Sequence, residues 1–485
     1  MKYKVILYLF SLLIFFSCDD FLKENPEDFL SPENMPQTED DCELMLNGVV
    51  GRLVETSSNG EASYLYDWQL LKLAELSADE LIETGKSGAD YQLDSYTYFS
   101  DNKHIYGTWA QLYRLINDAN TMITKIPAAD LDDAVIEKYV AAAKFLRALA
   151  YFHLVNLYGN NVILIEEPVS DFSEVLSVSS SSVAETYKLI ASDVEYATGK
   201  NTKGENRLPV DEWDEAGRPT YGAAKALQAS VYMSMAGYPL EQSEYWEKAR
   251  DAASVVMGIS NYSLYDDIAT LFSMENDNGP EFIFSAQYYL PNYGSMMAAQ
   301  TRPDAWKSVK ASEEFLKTFS VNDLRRSNYL ITEWNGKPYT QLSGKVPYVG
   351  KWKDIGRDVL SEYNKRTALN NPIFRISEMY LIYAEAENEV NGPTLEAYDA
   401  LNAIRTRAGL DAVSGLSKDN FRDSLKLERH HELCFEYKRR YDLLRWNDLE
   451  EAMKNDPEVS SEFNIEEHRY YPVPEHDVLL NEGLE

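Results

Sequence analysis

The sequence predicts a mainly α-helical fold, with irregular helical hairpins forming a scaffold around one loop-rich, partly β region. Three observations predict it. Apolar residues recur at helical spacing through residues 64–258 and again through 372–455. Short stops built from Gly, Pro, Asn and Ser separate those runs. Between the two blocks, residues 259–371 turn rich in Gly, Pro, Asn, Tyr and Trp and lose the helical period.

The N-terminus is set apart from that scaffold. Lys2 and Lys4 precede an almost wholly apolar run over 5–16, followed by Ser17 and Cys18. This is the layout of a secretory signal, too short and wrongly flanked for a membrane-spanning helix. A general signal peptidase wants small residues one and three positions before the cut, and Phe15 is bulky. The arrangement resembles instead a bacterial lipoprotein signal, with 1–17 as signal peptide and Cys18 as the lipid-attachment residue. Each buried methylene of the lipid adds about 0.8 kcal/mol, so several chains anchor firmly where one is marginal. Asp19, Asp20, Glu24, Glu27 and Asp28 make residues 18–30 an acidic tether, similar to the export tag of some Gram-negative surface lipoproteins. Residues 31–485 are expected to form a single domain.

Within it, residues 64–81 carry the first long amphipathic pattern, marked by Leu70, Leu73, Ala74 and Leu81. "TWAQLYRLINDANTMITKI" sets Leu112, Leu115, Ile116, Ala119 and Ile123 on one helical stripe. "EKYVAAAKFLRALAYFHLVNLYG" is apolar nearly all round, which predicts a buried helix stopped by Gly159. Serines 180–182 cap "VAETYKLIASDVEYA". The alanine-rich "TYGAAKALQASVYMSMAGYP" admits a close neighbour and ends at 237–239, and "EYWEKARDAASVVMG" returns beside it. "NPIFRISEMYLIYAEAENEVNG" and "LEAYDALNAIRTRAG" repeat that helix–turn–helix, and "NFRDSLKLERHHELCFEYKRRYDLLRWN" adds further helix. With Ala384, Ala386, Ala400 and Ala403 at the contact, these hairpins resemble tetratricopeptide-type pairs at irregular spacing. Such a stack serves as a platform. In the middle region "EFIFSAQYY" has strand character and the rest reads as loop; long aromatic loops on a rigid scaffold are where binding tends to sit.

The 485 residues give a soft prior of about three domain-sized units or one large helical assembly. Lys and Arg number 46 against 79 Asp and Glu, a net charge of −33, which repels phosphate backbones and argues against nucleic acid as a partner. Besides Cys18 there are only Cys42 and Cys434, too far apart for a disulfide framework or a zinc site. Tyrosine stands out: there are 34, with 8 Trp and 18 Phe. Its flat apolar face and polar tip suit a wet surface that grips a ligand, although most of these rings should pack helices.

No catalytic motif emerges. His430 and Cys434 stand four apart in "HHELCFE", but no His-Glu-x-x-His motif is present, and packing on an amphipathic helix accounts for them. "MENDNGPE" (274–281) mimics a calcium loop, yet Met274 holds the first ligand position and the stretch reads as a turn before a strand. The carboxylate pairs Glu385/Glu387 and Glu428/Glu432 lie within long helices, whereas glycoside hydrolysis needs two carboxylates flanking a cleft about 5–9 Å apart. Neither a Gly-x-Ser-x-Gly elbow nor a phosphate-cradling glycine loop occurs. No metal, cofactor or enzymatic activity is expected.

Taken together, the segments resemble the SusD/RagB family of outer-membrane nutrient-binding lipoproteins nearly end to end. The residues that carry this are "SCDDFL", "LSADEL" (77–81 within it), "LYRLINDANTMI", "AKFLRALAYFHLVNLYGNNVILI", "RPTYGAAKALQASVYM" and "PEFIFSAQY". The most specific are "FRISEMYLIYAEAENEVNG", "ALNAIRTRAGL" and "ERHHELCFEYKRRYDLLRW", closed by "YYPVPEHDVLLN". One departure is the ending "NEGLE", where members often run on with a Pro- and Asn-rich tail. The resemblance implies a non-enzymatic glycan catcher at the cell surface, held to the outer membrane by its lipid. It also implies a SusC-like TonB-dependent transporter as partner and an oligosaccharide as ligand. Binding aromatics in the family come from the loop ahead of the "TWAQLYRLIN" helix and from the irregular middle region. Those regions hold Tyr91, Tyr96 and Tyr98, then Tyr288, Tyr289, Tyr293 and Trp306, of which at least two should form the platform. Two other readings stay open: a peptide-binding member of the family, served by the acidic surface, and a surface lipoprotein glycosidase.

Overall fold

The computed structural model describes residues 36–54, 65–171, 173, 175–210, 216–290, 294–353, 366–459, 461, 463–481 and 483–484. The signal segment, Cys18 and the acidic tether lie outside the described residues, as does Tyr293.

Local capping starts most of the long helices. Helix α1 (Glu39–Gly51) opens on a reciprocal Thr38–Asp41 capping box. A short helix α2 (Gly88–Asp94) precedes α3 (Lys103–Lys125), whose cap Asn102 accepts from the His104 amide. The predicted stripe Leu112, Leu115, Ile116 and Ala119 is buried, and Ile123 packs half-buried against the same core. Helix α4 (Asp133–Tyr158) is buried on nearly every face from Tyr139 onward, as its all-round apolarity predicts. It is long and apolar enough by composition to cross a membrane, but its apolar window is 94% buried inside the protein, so it is a core helix. Gly159 ends it with φ +57, and a Cβ there would lie 2.4 Å from the Tyr470 ring.

Ser182, the last of the predicted serine run, caps α5 (Val183–Ala197), in a reciprocal box with Glu185. Buried alanines let α6 (Tyr221–Ala236) lie close to α7 (Tyr245–Met257). The C-terminal block holds α8 (Ile376–Asn391), α9 (Leu395–Arg407), α10 (Lys418–Leu433) and α11 (Arg439–Arg445). Ala384 and Ala400 are buried at the hairpin contact as predicted, joined by Ala397, while Ala403 is only half-buried.

Helices α3 to α9 pack consecutively, and α7 packs directly on α8. The two helical blocks of the sequence are therefore one stack, and residues 258–375 emerge between neighbouring helices. Their base is an antiparallel strand pair, β2 (Phe282–Ala286) with β4 (Asn371–Arg375), in register Phe282↔Arg375 and Ala286↔Asn371 with a bulge between. Here the structure corrects a boundary: residues 371–375 pair as strand, and the helix begins only at Ile376. A proline at 372 and a β-branched, aromatic Ile373-Phe374 fit an extended segment, and a partner about ninety positions earlier supplies the ladder. From Leu65 the predicted amphipathic stretch also differs from a regular helix: the chain makes two short π-helical turns, Leu65–Gln69 and Lys72–Leu76, then β1 (Leu81–Ile82).

A buried charge network fastens the emerging region to α10. Arg375 reaches Glu281, Glu432 and Glu436; Arg407 reaches Glu281 and Glu432; Arg325 reaches Asp323, Glu428 and Glu432. Lys351 adds a bond to Glu436. Burial alone would raise the Glu432 carboxyl, but three guanidiniums beside it hold it well below the usual range. The "HHELC" stretch packs as predicted. His430 stacks on Phe315 at 4.5 Å and His431 on Phe319 at 3.9 Å, and Cys434 Sγ donates to the His431 carbonyl. Burial pushes His430 down to about 3, so the ring is neutral at pH 7.

Candidate functional site

Three segments carry the predicted aromatics: two are pinned to the π-helical turns at 65–76, and the third to the strand β1 that follows those turns. The Tyr66 carbonyl accepts from Tyr288 Oη at 3.1 Å, from Tyr437 Oη at 2.9 Å and from the Asn371 side-chain amide. One residue on, the Asp67 carboxylate accepts from the Met296 amide. Both ends of the 288–296 segment are thereby tied to one turn. Asp67 is buried, which raises its carboxyl to about 7 against the lowering pull of the Met296 N–H and the Arg366 charge.

The second segment is α2 and the loop after it. Asp90 accepts from Lys72 Nζ and meets His104 Nε2, each at 2.5 Å, so the helix bearing Tyr91 is held from both sides. Asp94 accepts from the Glu83 amide at 2.9 Å. Burial, with the Asp456 and Glu458 carboxylates nearby, pushes Asp94 up to about 8. The third segment reaches the same neighbourhood through β3 (Lys310–Ala311), which pairs antiparallel with β1 in register Leu81↔Ala311 and Ile82↔Lys310. Trp306 precedes that strand, its amide fixed to the Ala299 carbonyl at 2.8 Å.

Within this frame the rings divide sharply. Tyr289 is 54% exposed and Trp306 43% exposed, and Tyr91 is half-buried with Lys86 Nζ 5.4 Å from its ring centre. Tyr96, Tyr98 and Tyr288 are buried. Tyr96 donates to the Ser77 carbonyl at 2.7 Å, accepts from Arg440 at 2.6 Å and meets Phe463 edge-on. Tyr98 packs against Tyr471 and His468. These three work inside the fold and hold the exposed segments in place. Sequence reasoning missed Phe99, 72% exposed and next to Tyr98 in "SYTYFSDNKH". The available signal was a large apolar ring among small polar residues just ahead of the Asn102 cap.

A cavity of about 490 Å³ runs along β2, lined by Arg218, Tyr262, Phe282, Phe284 and Gln287 among others. None of the predicted aromatics lines it, though Gln287 on its wall leads directly into Tyr288 and Tyr289. Among the described residues no cluster of His, Cys, Asp and Glu has the arrangement of a metal site.

Residues 228–485 match the model of the SusD family, and residues 27–233 match a family described as starch-binding, associating with outer membrane. Over its whole length the chain is 29% identical to SusD-like protein P2 of Formosa agariphila, covering 98% of that relative. A SusD homolog from Bacteroides thetaiotaomicron superposes with a TM-score of 0.80 at 23% identity, over 94% of this chain and 97% of that one. Surface glycan-binding protein A from the same species, solved with laminarihexaose, gives a TM-score of 0.75 at 19% identity, over 92% of this chain and 98% of that one. The family match spans the C-terminal half, where β4, α8 and the charged network of α10 fasten the loop-rich region to the helical stack, and the chain belongs to the SusD family.

Proposed function

We propose that this chain is a surface glycan-binding lipoprotein that captures oligosaccharides and passes them to a SusC-like TonB-dependent transporter. In this reading residues 1–17 direct export, Cys18 carries the lipid at the outer membrane, 18–30 form the tether and 31–485 a single SusD-like domain. The observation that carries it is the exposure of Tyr289, Trp306 and Phe99, with half-buried Tyr91, on segments bonded to the stretch between Tyr66 and Ile82. An aromatic face standing in water gains by stacking on the C–H face of a sugar, at about 25 cal/mol per Å² of apolar surface buried. Affinity from a few such rings is modest, as suits a protein that must release its cargo. The laminarihexaose complex of a structural neighbour supports the ligand class.

Binding without turnover fits the state of the helical carboxylates. Glu385 is buried against Arg445, and Glu428 and Glu432 against Arg325. A peptide ligand is the second reading, favoured by the net charge of −33, which attracts cationic peptides at long range. Calorimetric titration of the purified chain against glycans and cationic peptides separates them. Saturable heat with a glycan supports the proposal. Saturation with peptide alone, or sustained heat that scales with protein and substrate, overturns it.

A further inference from the structure

The chain is strongly acidic, yet between residues 294 and 353 ten Lys and Arg face only five Asp and Glu. Part of this reversal is structural: Arg325 and Lys351 belong to the buried network, Arg302 holds Asp304, and Lys317 pairs with Glu313 and Glu314 on its own turn. Lys307, Lys310 and Lys345 differ from these, because among the described residues none of the three forms an ion pair with a carboxylate.

They also lie together. Lys307 follows the exposed Trp306, and Lys310 sits three residues on in β3, its ammonium donating to Thr84 Oγ1 across the strand pair. A Cβ on Gly344 would lie 3.3 Å from Lys310 Cδ and 3.2 Å from Thr84 Cγ2, so the turn bearing Lys345 rests on the Lys310 stem. Lys307 and Lys345 both hold left-handed backbone, at φ +62 and +57, which is costly for a residue other than glycine and persists where the surroundings impose it. Lys310 is only 3% exposed, and its ammonium is offset by the Thr84 hydroxyl and the Tyr348 ring, 5.8 Å away, with no carboxylate in ion-pair contact, so part of its desolvation cost stands. Burial, with the charges of Lys307 and Lys72, lowers the Lys310 pKa against the pull of Glu83.

We propose that the glycan held at this site carries anionic substituents, uronate carboxylates or sulfate esters, received by Lys307 and Lys345 beside Trp306 with the Lys310 charge beneath them. The inference rests on the glycan reading and names its ligand class. It runs against the charge of the chain as a whole, so the attraction must be short-range. A net charge of −33 repels polyanions at a distance, and only contact with this patch reverses the sign.

The test is titration of the full chain with two matched pairs: a galacturonate oligomer and its methyl ester, and a sulfated galactan and its desulfated form. A neutral β-glucan serves as a further probe. In at least one pair the charged form is expected to bind about tenfold tighter, with the advantage shrinking as salt rises. The pair that responds tells carboxylate from sulfate. Lys307→Asn and Lys345→Asn keep a residue suited to left-handed backbone and should each cut the charged form's affinity about fivefold while leaving its neutral partner's unchanged. Lys317→Gln, outside the patch, should bind as wild type. If the neutral member of both pairs binds as well as the charged one, or only the β-glucan binds, the inference falls and the glycan reading stands. If no glycan binds at all, both fall.

Discussion

Arg375 grips Glu436 through two parallel bonds of 2.7 Å, Nε to Oε2 and Nη2 to Oε1, at the point where β4 turns into α8. Its remaining nitrogen reaches Glu281 and Glu432, so one guanidinium joins the base of the loop-rich region to the end of α10. Glu432 in turn serves Arg325, Arg375 and Arg407. Glu432→Gln leaves three buried guanidiniums short of a counter-charge, and the expected loss is about 3–5 kcal/mol. Urea unfolding at pH 7 measures it; a loss under about 1 kcal/mol would mean the network reorganises freely.

Tyr289 and Trp306 are 54% and 43% exposed, so removing either ring should cost less stability than removing a buried one. Trp306→Ala and Tyr289→Ala should each cost less than about 3 kcal/mol in unfolding, below the roughly 3–5 kcal/mol of a buried aromatic. Each should weaken glycan binding about 3- to 10-fold, the worth of one aromatic stacking contact. Unchanged affinity in both variants would remove these rings from the platform.

Tyr96 is expected to behave in the opposite way. Its hydroxyl bridges the Ser77 carbonyl and Arg440 in a sealed site, and Tyr96→Phe strips a partner from a buried guanidinium. A loss of about 1–3 kcal/mol is expected in the same unfolding assay.

Asp67 gives a pH signature with a definite sign. Burial raises its carboxyl from 3.8 to about 7, so the folded state holds a proton that the unfolded chain has released. The folded form therefore loses stability, relative to Asp67→Asn, as pH rises from about 4 to about 7, and the difference is flat above that. Unfolding free energies of both proteins at pH 4, 5.5 and 7 measure it. A difference that grows in favour of the wild type with rising pH would contradict the assignment.

The helices were largely legible because their signals are local. Gly159, Ser182 and the stripe on α3 each act within a few residues of their position. Strand β4 was not, because its partner β2 lies about ninety residues earlier and the five residues of "NPIFR" adjoin a true helix without a break. The turns at 65–76 depart from a regular helix where the Tyr66 carbonyl serves Tyr288, Asn371 and Tyr437, partners that no local window contains. The same limit governs the aromatics. Tyr288 and Tyr289 are identical neighbours in sequence, yet a distant carbonyl buries one and leaves the other in water. The unpaired lysines follow the same logic, since a lysine's lack of a carboxylate partner is a property of the packed chain.

The central claim is that glycan is held by the segments around Tyr91, Phe99, Tyr289 and Trp306. Hydrogen–deuterium exchange with and without saturating glycan tests it most directly. The account predicts slowed exchange in residues 83–102 and 287–310, with the helices α5 to α7 unchanged. Protection confined to those helices, or along the β2 cavity alone, would contradict it.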